Sequence, residues 1–349
     1  MPAFIAHIHI TDAVRERLRA IATKENPKGV LANFVTDVFD AYPDYMHLGA
    51  IGPDLPYYGG GIKSIFQLLQ NGHNKPIGVD QWSYQLHSKE PNLFPLKMAE
   101  VIWKESDPTQ EPDAAWMEED EQKFAFLCGF LTHMAADQTI HPLVNSIAGP
   151  YPKSADARKE HSKCEVYQDL YLLGKDSGDK LTIQQLTDYL VKSRINMSPT
   201  VPFQYLIQKT FVEAHAITPT ENEIKSWVSG LWWVQFACAN SSLVYKSAYK
   251  ELFKSDETLN TEEKAYTDYI NKDLHGKRYD EYVEEAVKVS CIYIKALLML
   301  HEFEIDDTAR ENFLKVVRNA DLGAPLEIVT EAEVKEYLKD WEKKVGVVL

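Results

Sequence analysis

The feature that most constrains this chain is a set of polar side chains inside an apolar stretch, FAFLCGFLTHMAADQTIHPLVN, at residues 124–145. His133, Asp137 and His141 recur every four residues, and on an α-helix that spacing places them on one face. The residues around them are apolar on nearly every side, so the helix is predicted to be buried. Buried carboxylates and imidazoles destabilise a fold unless they are paired or bind a cation. The pattern therefore predicts a metal site on a buried helix.

A second pair with the same spacing follows in the segment KEHSKCEVYQ, residues 159–168. His161 and Glu165 are again four residues apart, beside an apolar side that includes Val166. The alternative is a hydrogen-bonded surface pair, which is the commoner role of an isolated His-x-x-x-acid pair on a helix. Three imidazoles and two carboxylates within 33 residues favour the metal interpretation. Neutral imidazole and carboxylate ligands suit zinc and similar divalent ions.

Three further positions supply candidate ligands: one of the two N-terminal histidines, Asp54 and His73. His7 and His9 alternate with isoleucine before the first predicted helix, so only one of them can face inward from an extended segment. Asp54 lies between two prolines, and His73 ends a turn. Alone they would be a turn residue and a surface imidazole, but loops fixed on a helical scaffold often bind ligands. His87 is predicted to be exposed.

The rest of the chain predicts an all-α fold with no convincing strand. Apolar residues recur at spacings of three and four in residues 12–23, 30–42, 82–104, 183–194, 202–216, 221–252, 262–271 and 280–303. The Gly- and Pro-rich residues 47–76 are predicted to form a loop with a short helix at 64–69. We expect residues 1–310 to form one multi-helix domain. Residues 311–349 are predicted to be a C-terminal extension that ends in a helix.

Charge and composition limit the partners and the compartment. The formal net charge is −15, which repels polyanions, so a long nucleic acid is a poor candidate partner. The four cysteines form no C-x-x-C pair. The chain shows neither a signal peptide nor a transmembrane segment, which predicts a cytoplasmic protein as written. The alternative is a secreted protein whose start has been processed, and the oligomeric state is not predicted.

Taken in order, these residues resemble the zinc-dependent phospholipase C family, whose all-helical fold is shared with zinc-dependent single-strand nucleases. The resemblance consists of an N-terminal His, a Gly-x-x-Gly-Pro-Asp loop, a following His, and then helical His and acidic residues. These are His7, residues 49–54, His73, His133 with Asp137, His141, and His161 with Glu165.

The resemblance implies the metal ligands. It assigns a first zinc to Asp54, His73, His133 and Asp137, and a second zinc to His141, His161 and Glu165. The family's third zinc also uses an N-terminal Trp, which this sequence lacks. The resemblance therefore implies two zinc ions, and a third only if His7 and Asp137 suffice to hold it.

The resemblance also implies the reaction, which is hydrolysis of a phosphodiester by zinc-activated water. Asp54 is a candidate to accept a proton from that water, because its position in the loop beside the first ion leaves one carboxylate oxygen facing the cavity. The expected substrate is a phospholipid headgroup or another small phosphodiester. One alternative is a single-strand nuclease or nucleotide phosphohydrolase of the same fold, which would require a stacking pocket and a basic groove. The other is a metal-stabilised helical binding protein without turnover, whose metal sites would be closed.

Overall fold

The computed structural model describes eleven stretches of the chain. They are residues 4–25, 34–59, 81–105, 118–149, 160–161, 163–169, 171–172, 201–240, 263–271, 276–302 and 306–319. Every regular element in these stretches is a helix, and they contain no strand, which confirms the all-α prediction.

Ten α-helices carry labels in chain order. They are α1 Phe4–Glu25, α2 Pro43–Ala50, α3 Gln81–Ser88, α4 Leu93–Glu105, α5 Glu118–Ala148, α6 Val201–His215, α7 Glu221–Asn240, α8 Glu263–Ile270, α9 Tyr279–Glu302 and α10 Asp307–Val316. A π-helical turn, Val35–Asp40, precedes α2, and a 3-10 helix, Gly52–Tyr58, follows it. Between α5 and α6, residues 160–161, 163–169 and 171–172 are helical, and we name them the 160s segment.

Helix α5 is the centre of the fold, as its apolar character on all sides predicts. Every residue from 123 to 140 is buried. Helices α2 and α9 make its most extensive contacts, and α1 and α4 also pack on it. Gly149 ends the helix in the left-handed region, at φ 83°, which glycine adopts without strain.

Helices α2 and α5 cross with their backbones in direct contact at Gly49 and Gly129. A Cβ atom on Gly129 would lie 1.9 Å from the carbonyl oxygen of Met46. A Cβ atom on Gly49 would lie equally close, 1.9 Å from the carbonyl oxygen of Phe126. No other residue type fits either position, so the two glycines fix the distance between these helices.

The first helix begins earlier than the sequence predicts. Helix α1 starts at Phe4, so His7 and His9 lie on a helix and the prediction of an extended segment is wrong. The carboxylate of Asp169 accepts a hydrogen bond from the Ala6 amide at 2.8 Å, across 163 residues. Thr11 lies inside α1, where its hydroxyl donates to the His7 carbonyl.

The predicted loop at residues 47–76 is wrong for its first part, because residues 47–50 and 52–58 are helical. Pro43 and Pro53 each occupy the first turn of a helix, where the missing N–H has no intrahelical partner to lose. The remainder of that loop, with the predicted helix at 64–69, lies outside the described residues. The predicted helix at 82–104 is two helices, with a break at residues 89–92.

Helix α10 crosses the predicted domain boundary after residue 310. It is fastened to the bundle by an ion pair of 2.8 Å between Arg310 and the buried Glu100. Just beyond it, the Asn92 side chain donates to the Val317 carbonyl. Residues 320–349, with the predicted last helix, lie outside the described part of the chain, so the domain division stays a prediction. None of the described helices is long and apolar enough to cross a bilayer.

The contact at Gly129 generates a stability prediction. Gly129→Ala places a methyl group against the Met46 carbonyl, and overpacking of this kind costs about 1–3 kcal/mol of unfolding free energy. Chemical denaturation followed by circular dichroism measures the change. The matched control is Glu119→Ala on the exposed side of α5, for which we expect a change within about 0.5 kcal/mol. Equal stability of the two variants would contradict the contact.

Candidate metal centre

Imidazole and carboxylate side chains from α1, the 3-10 helix, α3, α5 and the 160s segment converge in one site. They form three groups, and within each group the potential ligand atoms lie within 4.8 Å of one another. The groups are His7 with His133 and Asp137, then Asp54 with His87 and His133, and finally His141 with His161 and Glu165. His133 belongs to two groups, so these two groups are adjacent.

Asp137 lies at the centre of the site, and its two oxygens face different histidines. Oδ1 is 3.4 Å from Nε2 of His7 and 3.6 Å from Nε2 of His141. Oδ2 is 3.2 Å from Nε2 of His133 and 3.8 Å from Nε2 of His87. One carboxylate therefore faces histidines from all three groups, and its two oxygens could each hold a cation.

Backbone carbonyls orient two of the imidazoles. Nδ1 of His133 lies 2.8 Å from the carbonyl oxygen of Ala50, and Nδ1 of His87 lies 2.8 Å from that of Ser83. A carbonyl oxygen can only accept, so each Nδ1 carries the proton and each Nε2 presents a lone pair in the neutral ring. Both Nε2 atoms face carboxylates, with His87 Nε2 at 3.3 Å from Asp54 Oδ1. This arrangement is typical of metal-binding histidines.

The third group joins α5 to the 160s segment. His161 Nε2 is 3.0 Å from Oε1 of Glu165, and His141 Nε2 is 3.7 Å from the same oxygen. His141 also faces Asp137, so it connects this group with the other two. The segment is held in place from outside the site by a hydrogen bond of 2.6 Å from the Tyr269 hydroxyl to Glu160.

The electrostatic balance of the site favours anionic carboxylates. Burial opposes ionisation of Asp137, but His141 and His133 outweigh it and hold its pKa well below the usual value. Burial likewise opposes ionisation of Glu165, while His161 and His141 lower its pKa. Burial, with the neighbouring His133, lowers the pKa of His7 to about 4, so this ring is neutral at pH 7.

The residues fit bound zinc. Nε2 of His133 and Nδ1 of His7 are buried without a hydrogen-bond partner, and such atoms are costly unless something binds them. Burial works against a charged His133 ring, but Asp137 and Asp54 outweigh it and raise its pKa. The raised pKa means that the neighbouring carboxylates favour a proton on the His133 ring. A divalent cation between these rings and carboxylates would take the place of that proton. Neutral imidazole and carboxylate form the donor set that zinc accepts.

The structure brings together nearly all the candidate ligands from the sequence. His7 faces the site, stacked on His133 with ring centroids 4.1 Å apart, and belongs to one of the three groups, whereas His9 belongs to none of them. His73 lies outside the described residues. Whether the assembled residues bind the ions stays a prediction.

The prediction that His87 is exposed is wrong, because its side chain is 14% exposed and faces Asp54. His87 lies four residues after Ser83, which is buried, so the two side chains share the inner face of α3. The sequence shows the spacing but not the burial. The spacing alone could not show which side of α3 packs against the 3-10 helix. Sequence reasoning therefore missed the residue.

Comparison with known proteins gives one family. The family model described as zinc dependent phospholipase C matches residues 6–242, which is more than half of the chain. Neither the curated proteins nor the solved structures give a significant match. The matched range contains every candidate ligand.

We predict that the purified protein holds at least two zinc ions per chain and that His87 contributes to one of them. His87→Ala should weaken zinc binding about tenfold or more at one position, because it removes the imidazole beside Asp54. Competition titration with a chromophoric chelator measures this affinity.

His9→Ala is the matched control for the loss of a histidine, since it lies on α1 outside the three groups. His73→Ala tests the ligand that the resemblance implies. Wild-type zinc affinity in His87→Ala together with a loss in His73→Ala would remove His87 from the site.

Proposed function

Because the chain belongs to the zinc-dependent phospholipase C family, we propose that it hydrolyses a small or phospholipid-like phosphodiester at the site around Asp137. The observation that carries this proposal is the convergence of eight ligand-type residues in three adjoining groups, with the carboxylate of Asp137 facing four histidines from all three groups. The family match supports phospholipase C-type hydrolysis, and the phosphodiester substrate is our inference.

Bound zinc ions would supply the positive charge that binds a phosphate group and lowers the pKa of an attacking water. The protein supplies their position. His133 and His87 present fixed lone pairs, and Asp137 spans the groups. The reaction then needs a residue that accepts the proton of the water, and no protein nucleophile is required.

Asp54 is the residue that we assign to proton acceptance. Its side chain is 7% exposed and lies 3.3 Å from His87, at the edge of the group that contains His133. It sits on a 3-10 helix whose position is set by α7, since a Cβ atom on Gly230 would lie 1.9 Å from the Tyr58 carbonyl oxygen. A carboxylate fixed in this way needs little reorganisation when it takes a proton.

Solvent access to the site favours an enzyme over a closed structural metal site. The side chains of His141, Glu165 and His87 are 16%, 13% and 14% exposed, whereas His133 is fully buried. A structural zinc site closes its coordination shell with protein ligands. The partly exposed side chains of His141, Glu165 and His87 therefore leave the site accessible to substrate and water.

The net charge bears on the size of the substrate. At −15, the chain repels a long polyanion, whereas a small phosphodiester meets mainly the local charge of the ions. A phospholipid headgroup or another small diester therefore fits better than a nucleic acid strand.

We expect Asp54→Asn to lose about 10²-fold or more in kcat on a chromogenic phosphocholine diester. The amide is close in size to the carboxylate but cannot take a proton at neutral pH, and general-base catalysis is typically worth 10²–10⁴-fold. Zinc content is measured on the same preparation, so that loss of an ion is separated from loss of the base.

Asp44→Asn, an exposed substitution on α2, is the matched control and should keep full activity. Full activity in zinc-loaded Asp54→Asn would remove Asp54 from the mechanism. A chromogenic nucleotide diester is assayed in parallel. Preference for it over the phosphocholine diester would favour the nuclease alternative, and hydrolysis of neither by the zinc-loaded protein would favour a binding protein.

A further inference from the structure

Asp169 is a buried carboxylate that belongs to none of the three ligand groups. It is 4% exposed, and its Oδ1 accepts a hydrogen bond from the Ala6 amide at 2.8 Å. Burial outweighs this hydrogen bond and raises the pKa of the Asp169 carboxyl group well above its usual value, but a carboxyl oxygen can accept a hydrogen bond in either protonation state. The Ala6 amide lies in the first turn of α1, where backbone N–H groups have no partner within the helix.

The first turn of α1 contains no acidic residue of its own. The acceptor for the Ala6 amide comes instead from the 160s segment, 163 residues away. Asp169 thus performs the role of a helix cap from a distant part of the chain.

The two partners of this hydrogen bond adjoin two different ligand groups. Ala6 directly precedes His7, which faces Asp137. Asp169 follows Glu165 by four residues, so on a helix the two side chains share a face. The bond therefore sets the position of His7 relative to the group of His141, His161 and Glu165.

We propose that Asp169 is a positioning residue that holds His7 in the metal centre without touching an ion. The inference rests on the proposed metal centre and not on the identity of the substrate. To accept the hydrogen bond from the Ala6 amide, residue 169 needs an oxygen at the end of a side chain as long as that of aspartate. An asparagine offers the same oxygen at the same reach, whereas alanine offers none.

The test measures cobalt(II) and zinc(II) binding to the full chain by competition with a chromophoric chelator. We expect Asp169→Ala to bind one ion about tenfold or more weakly, in the range found for residues that orient ligands, while the other ions keep their affinity. Asp169→Asn should bind all ions as the wild type does. Equal losses in the Ala and Asn variants would overturn the proposal, as would no loss in a folded Asp169→Ala protein.

Glu160→Ala is the matched control, because it removes a different tether of the 160s segment, the one to Tyr269 on α8. Glu160→Ala should leave unchanged the affinity for the metal ion beside His7. A loss there equal to that of Asp169→Ala would show that any loosening of the segment has the same effect, which would overturn the specific role.

Amide hydrogen exchange of the wild-type, zinc-loaded protein tests the same bond without a variant. The Ala6 amide should be protected, and exchange at the rate of an open chain would overturn the proposal even if Asp169→Ala failed to fold. All these readouts are independent of turnover. Protein that hydrolysed neither diester but lost one ion in Asp169→Ala would contradict the proposed function alone.

Discussion

Direct contact between the backbones of α2 and α5 at Gly49 and Gly129 is the constraint on which the site depends. The contact brings the Ala50 carbonyl within 2.8 Å of His133 Nδ1, and that hydrogen bond turns Nε2 towards Asp137. The chain continues from α2 into the 3-10 helix that carries Asp54. A small change in the distance between the two helices would therefore displace candidate ligands on both, so the geometry of this site depends on glycine at the helix crossing.

Periodic spacing makes part of this site readable from the sequence. His133, Asp137 and His141, like His161 and Glu165, lie four residues apart, so any helix places them together whatever packs around it. The all-α fold follows from the same periodicity. His87 is different, because its role depends on how α3 docks against the 3-10 helix. The start of α1 is different too, since its cap is 163 residues away and no local pattern records it.

Folding and metal binding are linked by the charges that the fold buries. Asp137 and Glu165 are held as anions beside imidazoles, and without an ion each carboxylate relies on a neighbouring histidine proton. A divalent cation bound there would replace that proton and would also satisfy the buried Nε2 atom of His133, which has no hydrogen-bond partner. The polar stripe on an otherwise apolar helix, which would destabilise the fold by itself, becomes a stabilising element when metal is bound.

The most direct test of the metal centre is anomalous scattering at the zinc absorption edge, from crystals of protein purified without chelator. We expect at least two strong peaks, one near Asp54, His87, His133 and Asp137, and one near His141, His161 and Glu165. Peaks at those two positions would support the ligand groups directly. An absence of peaks there, in crystals of protein shown to contain zinc, would contradict a metal centre at these residues.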